Sequence, residues 1–506
     1  MTKSRTWFLR LFVFGTGFVV LVLELTASRL IAPYFGTSIF VWANIIGLVL
    51  IALALGYWFG GTLADRRPEL RLLMRITLLA GLLVGMIPFL FQLIGPIAIF
   101  GLQNLSVSLI AGSFFVLVIL FFVPMLLLGM VSPFAVRLLN DKVETTGRSS
   151  GSLYAWSTVG SILGTFTTAF LAVPLLGTRE TIYASAIVLI LLGAAGLRRT
   201  NAWVFLAIPL AFWGILMASD WVNGSQYTIF REGVIWEEES PYQFIQVVER
   251  PDGERWLLTN EGYGIQSIYK ESGILTGHYY DMFLLLPPLI EPVDGTIDVL
   301  FVGVAGGTIG YEMHQVYADD VPMRFDGVEI DPVLADVGER FFYLDRYPID
   351  LTIGDGRGYL KMAEKKYDII VVDAYGHNNS VPFHLATAEF FELAKSRLEE
   401  NGMVGLNLVA DRPDQPLMKN LLTTLRSVFS EVGHTTVAEN DYNHFVVAAN
   451  RSVKFEDAVM PPIAKELQKH AVKNITPAAA DCEIFTDNHA PVELLTDLMY
   501  FRQALD

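Results

Sequence analysis

The chain has 506 residues, enough for more than one domain, a formal net charge of −16 and 53% hydrophobic residues. The charge is unevenly spread: residues 1–219 hold 14 Lys/Arg against 6 Asp/Glu, and the remainder holds 22 against 46. So acidic a second half lacks the basic face that phosphate contacts need and argues against nucleic acid as a partner, and the single Cys482 excludes an intramolecular disulfide.

The first half (1–219) breaks into about seven apolar segments of membrane-spanning length. They are Trp7–Leu30, Ile39–Gly61, Leu72–Ile94, Leu109–Met130, Leu153–Pro174, Thr181–Leu197 and Ala202–Met217. This predicts a multi-pass α-helical domain in a lipid bilayer. The first segment is too long for a signal peptide and holds Glu24 and Arg29, so it reads as an uncleaved helix. Its two ionisable groups read as an internal pair or as one wall of a polar path. Basic residues cluster at Lys3–Arg10, Arg66–Arg75, Arg137–Arg148 and Arg198–Arg199, while the opposite loops hold only Arg179. That bias places the N-terminus in the cytoplasm. Seven full spans would put the second half outside. The seventh is short and contains Pro209; if it does not cross, the second half is cytoplasmic, the side the chemistry below favours.

Two features of this half are packing candidates. Gly151, Gly160 and Gly164 allow close helix approach. The run Gly56–Arg67, GYWFGGTLADRR, resembles a loop of major-facilitator transporters. Seven spans are too few for that twelve-helix architecture, so the run leaves transport open without showing it.

After Asp220 the pattern changes. Tyr227–Trp236, Tyr242–Glu249 and Trp256–Thr259 read as strands of a small antiparallel β-domain (220–290). Strands then alternate with helices, as a parallel sheet covered on both faces requires. The strands are Ile297–Val302, Met323–Ile330, Ile349–Ile353, Tyr367–Asp373 and Met403–Leu408, with His444–Ala449 returning late. Thr387–Leu398 and Pro416–Phe429 have helical spacing. The prediction is an α/β Rossmann-like, methyltransferase-type domain over 291–452, followed by a tail, 453–506.

The stretch Val299–Asp331, VLFVGVAGGTIGYEMHQVYADDVPMRFDGVEID, is a strand, a glycine turn, a helix and a second strand ending in an acid. That arrangement holds a nucleoside. Gly303, Gly306 and Gly307 form the turn, and Glu329 is placed to accept the ribose hydroxyls. Asp355 and Gly356 follow the third strand, where the acid can reach an adenine. Asp373 ends the fourth and points into the cleft. No phosphate-binding Lys follows the glycines, which argues against a nucleoside triphosphate. Acids after both the third and fourth strands favour an adenosyl-sulfonium over a dinucleotide. No metal is called for. Asp373 is the expected base for an incoming amine, with Tyr375 closing the site and His377 and His384 as alternative bases.

From about Tyr227 to Val409 the residues resemble the spermidine synthase (polyamine aminopropyltransferase) family, and with the apolar half in front the chain resembles its membrane-fused members. ESPYQFIQVVE, with Gln243, resembles the family's run ending in Tyr-Gln. NEGYGIQS, with Gln266, resembles its short strand ending in Gln. HYYDMFLLLPPL, with Tyr279, resembles the stretch before its first Rossmann strand. The resemblance implies a co-substrate, decarboxylated S-adenosylmethionine or S-adenosylmethionine itself, and Asp373 as the catalytic acid. It implies Gln266, Gly303, Glu329 and Asp355 at the co-substrate, and Gln243 and Tyr279 at a putrescine-like amine. A homodimer is one assembly it allows.

Two departures stand out. The family's Asp-x-x-Asp is here Asp373-Ala374-Tyr375-Gly376, and Gly273–Thr276 lacks the acid that meets the co-substrate's amine. Asp487 and Glu493, in TDNHAPVELLT, are candidates to replace these acids; the alternative is helix capping and an exposed face. The alternatives to aminopropyl transfer are methyl transfer to a small or membrane-borne acceptor, and a nucleoside-sensing, transporter-like protein.

Overall fold

The computed structural model describes residues 3–503 except 36–38, 105–108, 140–145, 198–201, 224–232, 261–263, 272, 293, 377–380, 411, 437–441 and 478–481. It divides into two units, Met1–Arg231 and Glu232–Asp506.

The first unit is helical. Its elements are α1 (Lys3–Phe35), α2 (Ile39–Arg66), α3 (Leu70–Asn104), α4 (Leu109–Leu117), α5 (Val123–Gly129), α6 (Val131–Leu139), α7 (Thr146–Thr167), α8 (Val173–Leu176), α9 (Thr178–Ala195) and α10 (Ala207–Asn223). Among the described residues six stretches are long and apolar enough to cross a membrane: Arg5–Ala32, Phe40–Arg66, Leu70–Ile94, Ala111–Leu139, Gly147–Leu176 and Thr178–Ala195. The seventh expected span is Val204–Ala218, a shorter apolar helix. It is shorter than the 18 residues of Thr178–Ala195, the shortest of the six.

Two of the six stretches contain a π-helical turn, Val118–Phe122 and Thr168–Ala172, each followed by Val-Pro. A proline clashes with the carbonyl four residues before it, and a widened turn relieves that clash. In both cases that carbonyl, of Leu120 or Phe170, lies inside the π turn.

Glycine sets the closest helix approaches. A Cβ on Gly160 would lie 2.1 Å from Phe14 O, and one on Gly164 2.4 Å from Phe18 O, so α7 lies directly against α1. Gly151 meets nothing within 4 Å and has no such role. The small residues of GYWFGGTLADRR are likewise packing residues. A Cβ on Gly56 would lie 2.3 Å from Leu126 O and one on Gly60 2.6 Å from Met130 Cα, while Asp65 pairs with Arg137 at 3.1 Å. Glu24 and Arg29 are both half-buried on α1.

The second unit begins with a four-stranded antiparallel sheet in sequential order: β1 (Val234–Glu239), β2 (Phe244–Glu249), β3 (Arg255–Thr259) and β4 (Ile265–Tyr269). The main sheet has eight strands: β5 (Ile297–Val302), β6 (Met323–Glu329), β7 (Ile349–Ile353), β8 (Tyr367–Val372), β9 (Leu398–Val409), β10 (Glu431–Thr436), β11 (Asn443–Ala449) and the two-residue β12 (Thr476–Pro477). Their order is β12-β10-β11-β9-β8-β5-β6-β7. Strands β5 to β9 run parallel and the last three pair antiparallel.

Every residue of β5 and β8 is buried, Asp298 and Asp368 near their starts included, as central strands covered on both faces must be. Successive residues serve opposite layers. Val299 and Phe301 pack with Phe283 and Met313, while Leu300 and Val302 pack with Phe390 and Leu421. The covering helices are α11 (Thr308–Tyr317), α12 (Pro332–Phe341), α13 (Gly356–Met362), α14 (Ala388–Ser396), α15 (Pro416–Val428), α16 (Lys465–Asn474) and α17 (Val492–Gln503). Asp331, Asp355 and Thr387 cap α12, α13 and α14 with their side chains. The sequence reading has no counterpart for β10, whose EVGHTT has little β-preference of its own and is a strand because β11 pairs with it along its length.

Candidate active site at the sheet's switch point

Strand β5 lies between β6 and β8, so the sheet's progression reverses at β5/β8. In an open α/β sheet, ligands enter the crevice at the carboxyl ends of such a pair. Gly303 closes the crevice floor. Its φ is 87°, and a Cβ there would lie 2.4 Å from Asp373 O. No other residue type fits that approach.

The turn then leads into α11 through Gly307, at φ 82°. A Cβ on Gly307 would strike Leu344 Cδ1 at 2.4 Å and the Tyr347 hydroxyl at 2.6 Å. Gly306 donates to Ser267 Oγ of β4 at 2.8 Å. These two glycines are therefore needed by the chain's own packing. The resulting pocket is lined by Gln266 and Ser267 of β4, Tyr280, Gly303, Val304, Gly307, Thr308 and Asp373.

Glu329 ends β6 and is almost fully buried. Its Oε2 accepts from Val304 N at 3.1 Å and Ala305 N at 2.9 Å, and its Oε1 from Asp331 N at 3.1 Å. Burial pushes its pKa up, and the three N–H donors oppose that shift. The carboxylate thus holds the glycine turn in shape from below. Asp331, fully buried, accepts from Ser240 Oγ at 2.6 Å and Gln243 Nε2 at 3.3 Å. Gln243, expected at the amine, is instead tied to the acid beside Glu329.

Asp373 follows β8 immediately. Tyr279 Oη donates to its Oδ2 at 2.8 Å, and Asn407 Nδ2 donates to its Oδ1 at 3.1 Å. Burial raises its pKa to about 6, and the two donors hold it from rising further. Tyr279 is pushed well above the ordinary phenol range by burial and by the neighbouring carboxylate, so it remains a donor. The adjacent Tyr280 donates to Ile265 O at 2.6 Å, with its ring centroid 4.0 Å from that of Tyr279. The arrangement is a half-buried carboxylate of raised basicity, oriented by two neutral donors at the pocket beside the glycine turn.

The other expected positions have protein partners of their own. Tyr375 Oη donates to Asn407 O at 2.6 Å and accepts from Val409 N at 3.1 Å. Its hydroxyl is bound to the β9 backbone, and the residue does not line the pocket. Asp355 accepts from Gly358 N at 2.7 Å and faces His384 Nε2 at 3.0 Å. Gly356 packs beneath β5, where a Cβ would lie 2.5 Å from Val302 Cγ1. Asp487, expected as a substitute acid for an amine, is bound in bidentate fashion by Arg357, with Nη–Oδ distances of 2.7 and 2.6 Å. That pairing holds its pKa below the usual carboxylate range. Glu493 sits in the first turn of α17, where an acid complements the helix dipole, and it does not line the pocket. His377 lies outside the described residues. Asn407, absent from the sequence reading, had a signal there: an amide in the apolar run GLNLVA.

Residues 296–451 match the family model of the spermine/spermidine synthase domain. A probable polyamine aminopropyl transferase of Bifidobacterium longum is 29% identical over 294 residues, 53% of this chain and 64% of that protein. The chain thus spans somewhat less than two thirds of that relative's length. A polyamine aminopropyltransferase of Vibrio vulnificus is 27% identical over 290 residues, 54% of this chain and 94% of the other. A crystal structure of a probable spermidine synthase from Corynebacterium glutamicum superposes with a TM-score of 0.40 at 15% identity, covering 51% of this chain and 100% of that one. Residues 296–451 are thus a spermine/spermidine synthase domain, in a chain that is similar to polyamine aminopropyltransferases over about half its length and carries an apolar helical unit besides.

Proposed function

We propose that the chain is a membrane-bound aminopropyltransferase-like enzyme that takes an adenosyl-sulfonium and an amine acceptor in polyamine biosynthesis. The observation that carries this reading is Asp373, half-buried at the switch point, held by Tyr279 and Asn407, with a pKa raised to about 6. An ammonium cannot attack carbon. Such a carboxylate accepts the amine's proton or hydrogen bond near neutral pH and aligns its lone pair.

The sulfonium, consumed as a substrate, supplies the electrophilic carbon. The amine nitrogen bonds to that carbon, the carbon–sulfur bond breaks, and sulfur leaves with the electron pair as a neutral thioether. The displaced proton passes to Asp373. Gln266 and the Gly303–Gly307 turn would hold the nucleoside, with Glu329 at the ribose and Asp355 at the adenine. The aminopropyl group is the proposed cargo, with decarboxylated S-adenosylmethionine as its donor.

Product analysis tests this. Full-length protein in detergent is incubated with S-adenosylmethionine or its decarboxylated form and a panel of amines. Methylthioadenosine is the expected product. S-adenosylhomocysteine would mean methyl transfer, and neither product would mean the nucleoside is sensed and not consumed. Six spans and a cytoplasmic N-terminus further support a cytoplasmic second unit, the compartment where both substrates would be met.

A further inference from the structure

Arg357 has no role in the reading above, yet three segments of the second unit meet at its guanidinium. It lies two residues after Asp355, in the first turn of α13, with its side chain 13% exposed. Besides its two bonds to Asp487, its Nη1 donates to His384 O at 3.1 Å. Asp487 also accepts from Thr387 Oγ1 at 2.8 Å, and its N–H donates to Glu389 Oε2 at 3.0 Å. The turn that carries Asp487 is closed by reciprocal backbone bonds between Thr486 and His489, at 3.0 and 2.9 Å.

That turn is firmly seated. Phe485 before it and Val492 after it are fully buried. Phe485 O accepts from Ala388 N at 2.8 Å, and Phe485 N donates to Thr424 Oγ1 at 2.9 Å. On its far side, His384 reaches back to Asp355 Oδ2 at 3.0 Å.

We propose that Arg357 and Asp487 form a clasp that positions the nucleoside loop, tying the C-terminal turn to the start of α13 so that Asp355 is presented to the adenosine of the substrate. The proposal rests on the nucleoside reading of the site. A bidentate guanidinium–carboxylate pair fixes orientation as well as distance. With seven residues, α13 is too short to hold its own first turn in place. Its N-terminus therefore takes its position from the core-anchored turn through Arg357. Both residues act through Asp355 and are positioning residues. The clasp also gives Asp487 a use other than amine binding: its charge is already matched.

Calorimetric binding of 5′-methylthioadenosine to full-length protein in detergent tests this. Wild type, R357Q, D487N and the exchanged R357D/D487R are compared, with thermal unfolding as a second readout. Each single variant is expected to weaken binding roughly tenfold, as a displaced positioning contact does. The exchange should recover most of that loss, which general destabilisation would not allow. Wild-type affinity in both single variants overturns the clasp. So does an exchange that binds no better than the weaker single variant. If wild type itself fails to bind the probe, the nucleoside reading is lost and the clasp with it, before any variant is compared.

Discussion

Asp373 is flanked by two donors and half-buried, and each fact has a measurable consequence. Its pKa is about 6 in the folded chain against about 3.8 for an exposed aspartate. The folded state therefore holds the proton more tightly than the unfolded state. Stability from this residue is fullest below pH 4 and is lost as pH rises through 6, a change on the order of 3 kcal/mol. Thermal unfolding from pH 4 to pH 8 should fall less steeply for Asp373→Asn than for wild type. The same variant should lose at least 10²-fold in turnover, the usual worth of a general base, while calorimetry finds methylthioadenosine binding nearly unchanged. In Asn407→Ala the carboxylate loses one donor to its charged form, so its pKa rises further. The acid limb of the pH–kcat/KM profile, expected near pH 6 in wild type, should then move to higher pH; an unmoved limb would count against Asn407 as the residue that tunes the base. Asp373 was legible because it ends an apolar run where a parallel sheet exposes its carboxyl edge. The contacts of Tyr375 were not legible, because the chain leaves the strand at Asp373. Period-two alternation ends there, and only the fold shows its hydroxyl turned to Asn407 O and Val409 N.

At the level of elements, the glycine turn and the α1–α7 contact show what spacing can and cannot reveal. The turn was readable as strand, glycines and helix. Its support was not, because Glu329 binds three backbone N–H groups that come together only in space. In Glu329→Gln, one amide oxygen must serve donors that now meet two carboxylate oxygens, and the new NH2 faces an N–H. A buried donor left unmatched costs about 1–3 kcal/mol. Calorimetry should show weaker nucleoside binding, and the unfolding temperature should fall. Among the glycines of α7, sequence offers no means to rank Gly151, Gly160 and Gly164, because the facing side of the helix depends on where α1 lies. The structure separates them: Gly160→Leu would drive a side chain into Phe14 O, whereas Gly151→Leu meets open space. Gly160→Leu should lower the unfolding temperature of the detergent-solubilised protein by several degrees and Gly151→Leu should leave it unchanged. Equal effects would remove the close-approach explanation.

Across the whole chain, the number of crossings decides where the second unit works. Composition gives seven apolar runs because Ala202–Met217 is as apolar as its neighbours. The apolar helix there, Val204–Ala218, is shorter than each of the six stretches long enough to cross. On the proposed placement the loop basic residues mark the cytoplasmic side, and an even number of crossings would return the chain to it. The substrates argue the same way: a sulfonium nucleoside and a polyamine precursor are cytosolic metabolites if the proposed reaction is correct. The chain carries its own reporter, because Cys482 is its one cysteine and is exposed in the second unit. A membrane-impermeant maleimide should leave Cys482 unmodified in intact cells and label it once the membrane is permeabilised, with Cys482→Ser as the blank. Labelling in intact cells would require an odd number of crossings. The short seventh helix would then have to cross, and the cytoplasmic placement of the transferase chemistry would fall with it.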